Sequence, residues 1–212
     1  MHIPDGFINV PTVVVTSAVS AGAIAYGVSR ANRRLGEKHV PLMGVMAAFI
    51  FAAQMLNFPV AGGTSGHVLG AALAAILLGP WVGVLIMACV FIVQCLIFQD
   101  GGLTALGANI LNMGIIACFV GYYLYQGVVS FWGERRRSQL VAAFLGAWLS
   151  IVAAAAATAI ELAVSGTSPL AVALPAMAGV HVLIGIGEGL VTAAVISLVM
   201  TTRADLLQLE RV

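Results

Sequence analysis

The sequence predicts an all-α, polytopic membrane protein of seven transmembrane helices, and two observations carry that prediction. Charged residues make up only 8% of the 212 residues while hydrophobic ones reach 61%, against about 25% charge in an ordinary soluble domain. Apolar runs also recur along the whole chain. A run of ~20 such residues crosses a ~30 Å hydrocarbon core as a helix, which satisfies its own backbone there. This composition excludes a soluble fold, and no nucleic-acid partner is expected.

The seven runs lie near Pro11–Val28, Val40–Leu56, His67–Leu78, Trp81–Phe98, Leu103–Val128, Gln139–Val164 and Val172–Met200. The first has nothing basic before it and ANRRLG after it. A cleaved secretion signal has the opposite polarity, so this run reads as an anchor that keeps Met1 and His2 on the chain. The third run is short and Pro80 divides it from the fourth, which predicts a tight helical hairpin. NFPVAGGTSG, QDGG and SGTSP are turn-type stretches between the others. No repeat, low-complexity tract or linker divides residues 1–212, so a single transmembrane domain is expected.

Orientation follows from the nine basic residues. Arg30, Arg33, Arg34 and Lys38 follow the first run, Arg135, Arg136 and Arg137 the fifth, and Arg203 and Arg211 the seventh. Seven alternating spans put all nine on one side, which the positive-inside rule makes cytoplasmic. The N-terminus is then outside and the C-terminus inside a plasma (inner) membrane. Cys89, Cys95 and Cys118 sit in apolar runs without C-x-x-C spacing and read as small buried hydrophobes.

MHIPDGF, at the external end, is a chelating sequence. The Met1 amine, the ionised amide of His2 and the Nδ1 of its imidazole can close two fused rings around one ion, setting three nitrogens in a plane. A fourth nitrogen completes a square-planar site that selects Ni(II) or Cu(II), or Co(II), over tetrahedral Zn(II) and over oxygen-seeking Mg(II) and Ca(II). Pro4 offers no further amide, and P-D-G is a turn that folds the terminus back. The site requires that Met1 be retained, which a bulky residue at position 2 favours.

Of the four histidines, His39 follows the basic cluster on the cytoplasmic side and is excluded. His67 is expected to begin the third helix at its outer end, after the glycine-rich loop with Gly62, Gly63 and Gly66. His181 lies deeper, ~13 Å along the last helix. His67 is the better fourth ligand.

Three further features complete the inventory. Glu188 lies near the middle of the last run, seven residues after His181 on the same face. It is either functional, as intramembrane carboxylates often are, or a structural tie with Asn109 or Asn112 as partner. Asp5, Asp100 and Glu161 make the outer side acidic, which draws cations toward an entrance. Gly44, Ala48 and Ala52 form a small-residue stripe that serves either internal packing or the docking of another helix.

MHIPDGF at the start, NFPVAGGTSGH before the third run and QDGGLTALGANILNMG around the fifth resemble one family. It is the substrate-binding membrane subunit of energy-coupling factor type nickel/cobalt transporters. The resemblance spans essentially the whole chain. It implies a seven-helix substrate-binding domain that captures Ni(II) or Co(II) from outside through the Met1 amine, the His2 amide and imidazole, and the His67 imidazole. It also implies partners: a transmembrane coupling subunit, ATP-binding cassette ATPases and often a small additional membrane component. The chain has no G-x-x-x-x-G-K-[ST] loop, so energy from ATP must enter through another polypeptide.

Two other function classes compete. A self-sufficient metal permease would need an ionisable path through the helices, and only Glu188 and His181 offer one. An intramembrane metalloenzyme would need an open coordination position and a general base, yet the chain has no H-E-x-x-H motif and no paired carboxylates. The leading expectation is a non-enzymatic capture subunit for Ni(II) or Co(II), with nickel preferred for its affinity for planar nitrogen fields.

Overall fold

Apolar side chains cover the outside of this molecule as well as its core. Val10, Val14, Val15 and Val19 on the first helix and Leu183, Leu190 and Leu198 on the last are all exposed, as in a helix bundle that meets lipid. The structure, a computed structural model, describes residues 1–34, 36, 39–60 and 64–206. Gly62, Gly63, Lys38 and Arg211 lie outside the described residues.

The elements run α1 (Val10–Arg34), α2 (His39–Gln54), β1 (Asn57–Val60), β2 (Thr64–His67), α3 (Ala71–Leu78), α4 (Pro80–Phe98), α5 (Leu106–Asn109), a π-helical segment (Ile110–Ile116), α6 (Ala117–Trp132), α7 (Arg136–Val164) and α8 (Leu170–Thr202). Among the described residues five helices have the length and apolarity to cross a membrane: Val10–Arg33, Pro80–Phe98, Leu106–Trp132, Arg136–Val164 and Leu170–Thr202. The 16-residue α2 is shorter. The eight-residue α3 extends only ~12 Å. The expected hairpin between the third and fourth runs is present, with Gly79 as a one-residue turn and Pro80 opening α4, where its missing N–H has no helical partner to lose.

Two expectations are corrected. The NFPVAGGTSGH stretch is not only turn and helix start: β1 and β2 pair antiparallel with Asn57 opposite His67, so the molecule is helical apart from this ribbon. His67 therefore ends a strand, and α3 begins four residues later at Ala71. The cause is Gly70, whose φ of 78° is left-handed and stops a helix from extending back toward His67.

Every residue of α3 is buried, with α4, α6 and α7 around it. The packing relies on absent side chains. A Cβ added at Gly121 on α6 would lie 2.6 Å from the Cβ of Ala72, so α3 and α6 touch nearly backbone to backbone. Cys95 and Cys118 are buried as expected, but Cys89 is exposed on the outer face of α4. Gly44, Ala48 and Ala52 are also exposed, and a Cβ on Gly44 would meet nothing within 4 Å. The stripe is not internal packing.

Candidate metal centre

The first residues turn back into the bundle and are buried there. Met1 and Ile3 are 0% exposed and His2 5%. Asn109, at the junction of α5 and the π segment, grips Ile3 on both sides. Its Oδ1 accepts the Ile3 N–H at 2.8 Å, and its Nδ2 donates to the Ile3 carbonyl at 3.2 Å. That carbonyl also accepts the Gly102 N–H at 2.9 Å. Asp5 accepts the amides of Thr104 at 2.7 Å and Leu103 at 3.2 Å. The Thr104 hydroxyl, then these amides, hold its carboxyl below the usual range. Gly102 lies so close that a Cβ there would sit 2.3 Å from the Asp5 nitrogen. The QDGGLTALGAN segment is thus a mould for MHIPDGF.

His67 reaches the same place from the other side. Its Nδ1 lies 2.8 Å from the Val68 carbonyl. A carbonyl only accepts, so Nδ1 carries the hydrogen and Nε2 keeps a lone pair. Residues 67–70 run without helical bonds through the apolar interior, and side chains replace those bonds. Gln54 donates to the Leu69 carbonyl at 2.7 Å and in turn accepts from Gln94 at 2.9 Å. Glu188 accepts the Leu69 and Gly70 amides at 2.6 and 2.7 Å. Irregular backbone at such a depth persists only where protein groups satisfy it.

The two imidazoles meet with ring centroids 4.9 Å apart and planes inclined by 38°, and the Phe91 ring stands edge-on 5.6 Å from His2. Nδ1 of His2 lies 2.7 Å from Oδ1 of Asp100, without the alignment of a hydrogen bond. Nε2 of His2 and Nε2 of His67 are buried with no bonded partner. Burial pushes the Met1 amine down from 8.0 to about 5, against the opposing charge of Asp100. Burial likewise lowers the His2 imidazole. The site therefore offers neutral nitrogen donors at neutral pH.

Met1, His2 and His67 are thus brought together as the sequence suggested. Among the described residues no group of three or more His, Cys, Asp or Glu side chains is arranged to hold a metal. The donors here are instead two imidazoles with main-chain nitrogens, a set that suits a nitrogen-seeking transition ion. Glu188 pairs with main-chain amides and not with Asn109 or Asn112. Asn112 donates instead to Glu161 at 2.7 Å. Asp5, Asp100 and Glu161 are all engaged by neighbours. Sequence reasoning missed Gln54 and Gln94 altogether and misassigned Asn109. The one signal for them was an amide side chain inside an apolar run.

The family model for the cobalt uptake substrate-specific transmembrane region, CbiM, matches residues 2–206. The chain belongs to this family. A protein of Archaeoglobus fulgidus named as a fused nickel transport protein is 44% identical, the match covering 98% of this chain and 68% of that protein. The fused nickel transport protein of Rhodobacter capsulatus is 35% identical over all of this chain and 65% of its own length. The cobalt transport protein of Sorangium cellulosum is 31% identical over 98% of this chain and 94% of its own. Among solved structures, a truncated transition metal transporter superposes with a TM-score of 0.88 at 35% identity, covering 95% of this chain and 99% of that one. CbiM relatives are transport proteins and not enzymes, and this CbiM member is a multi-pass membrane protein.

Proposed function

We propose that the chain is the substrate-capturing subunit of a nickel/cobalt uptake transporter of the energy-coupling factor type. Ni(II), or Co(II), is held by the Met1 amine, the ionised His2 amide, Nδ1 of His2 and Nε2 of His67 in a square plane. To take up the ion, Nδ1 of His2 exchanges Asp100 for metal. Residues 1–212 act as one substrate-binding domain crossing the inner membrane seven times, with the N-terminus and metal centre outside. The third crossing is composite, an extended stretch from His67 followed by α3. Energy comes from ATP-binding cassette ATPases through a transmembrane coupling subunit, often with a small additional membrane component.

The observation that carries this reading is the burial of the Met1 amine and His2 ring against His67, with ring centroids 4.9 Å apart. The test alters the spacing between amine and imidazole. One residue added before Met1 makes the histidine third, and such a terminus supplies four planar nitrogens unaided. The extended protein is expected to bind Ni(II) with no need of His67, while His67→Ala abolishes tight binding by the natural protein. Isothermal titration of the four proteins decides the matter. If the extended protein keeps its dependence on His67, the terminal chelate is wrong.

A further inference from the structure

We propose that Nε2 of His181 is a fifth nitrogen of the metal centre, an axial ligand that Co(II) takes and Ni(II) does without. This rests on the planar reading above and adds to it a site that admits two metals.

His181 lies on the buried stripe of α8 and is 0% exposed. Its Nδ1 is 2.7 Å from the Met177 carbonyl one turn earlier. That carbonyl can only accept, so Nδ1 carries the hydrogen and Nε2 is left as a lone-pair donor. Nε2 is fully buried and has no hydrogen-bond partner. A buried acceptor with nothing to accept is rare and asks for a reason. His67 is arranged in the same way, with Nδ1 committed to a carbonyl and Nε2 buried and unbonded. Two imidazoles are therefore fixed as metal-ready tautomers.

Their levels in the bundle agree. Glu188 anchors Leu69 and Gly70 to α8. From that anchor His181 lies seven residues back along α8, ~10 Å at the helical rise. His67 lies two to three residues back along an extended stretch, roughly 7–10 Å. The chain enters α3 from β2, so both steps lead toward the end where the N-terminus is buried. His67 lies within electrostatic range of the Met1 amine, His2 and His181, and His181 within range of the Met1 amine. Glu188, with both oxygens on main-chain amides, does not compete for this ring.

The electron count assigns the role. Low-spin d8 Ni(II) in a nitrogen plane gains little from a ligand above it. Low-spin d7 Co(II) has one electron in the orbital along that axis and takes a single axial donor, so the same pocket suits both ions. The other histidines are accounted for. His2 and His67 lie in the plane, and His39 is fifteen residues before Gln54 along α2, ~22 Å from the site.

The experiment is electron paramagnetic resonance of the full-length protein loaded anaerobically with Co(II). The expected spectrum is low-spin, with its parallel lines split into triplets by one axial nitrogen. Labelling histidine with nitrogen-15 should turn the triplets into doublets, which identifies the ligand without any substitution. His181→Ala should remove the splitting while the low-spin signal and Ni(II) affinity stay. A low-spin spectrum with no splitting in the natural protein, or splitting that survives in His181→Ala, overturns the proposal and leaves the planar site standing. A high-spin spectrum overturns the planar site itself.

Discussion

Glu188 owes its place in an apolar helix to two main-chain amides. Each would otherwise be a buried unsatisfied donor, worth about 1–3 kcal/mol. Glu188→Ala is expected to lower the thermal midpoint of the metal-free protein well beyond what Leu183→Ala does on the lipid face. It should also weaken Ni(II) binding, since it frees the segment that carries His67. Thermal unfolding in detergent checks the first effect and titration the second. The proposed ligands set a pH profile. Metal binding displaces whatever protons the donors hold. With the Met1 amine at about 5, the amine is unprotonated between pH 8 and 6, and the amide proton is lost on binding throughout that window. Affinity should then fall by at least about tenfold per pH unit on acidification, steepening as pH approaches the amine's own pKa near 5. A flat profile excludes the ionised amide. A fall clearly steeper than tenfold between pH 8 and 7, above the ordinary imidazole range, shows that the amine still titrates there, and so is not buried as described.

At the scale of elements, Gly102 is where two segments become one device. A methyl group there would meet the Asp5 nitrogen at 2.3 Å and the Pro4 carbonyl carbon at 2.7 Å. Gly102→Ala should therefore push the N-terminal segment out of its mould and abolish tight Ni(II) binding, while circular dichroism shows the helices intact. Retained affinity would mean that the mould is not needed. The helices were legible because hydrophobic length is a strong signal, and each of the seven runs overlaps a helix. The metal end was not legible in the same way. β1 and β2 contain Pro59, Gly66 and no regular alternation, and they lie next to an apolar helix whose pattern invites extension back to His67. The partner of Glu188 was invisible because it is backbone, which leaves no mark in a sequence. The π segment at Ile110–Ile116 had no signal either, yet it follows directly on Asn109, which grips Ile3. The proposed terminal chelate could be framed from the sequence because its chemistry depends only on distance along the chain.

For the whole molecule, the exposed stripe of Gly44, Ala48 and Ala52 lets the proposed capture be tested apart from the proposed delivery. It faces away from the metal centre, so Ala48→Leu with Ala52→Leu is expected to leave Ni(II) affinity of the isolated subunit unchanged. Uptake of labelled nickel by cells carrying all the proposed partners should fall at least tenfold if close helix approach is lost. Equal loss of binding and uptake would place the stripe in the fold itself. The brevity of α3 bears on how such a molecule is made. A helix of ~12 Å cannot partition across a ~30 Å core by its own hydrophobicity. It must follow α4, to which a one-residue turn joins it, and find burial only when α6 and α7 have arrived. The amides that precede it wait longer still, because the carboxylate that satisfies them is on α8. The MHIPDGF segment and α8 are thus joined through residues 67–70. A nascent chain cannot settle residues 67–70 until α8 has left the ribosome.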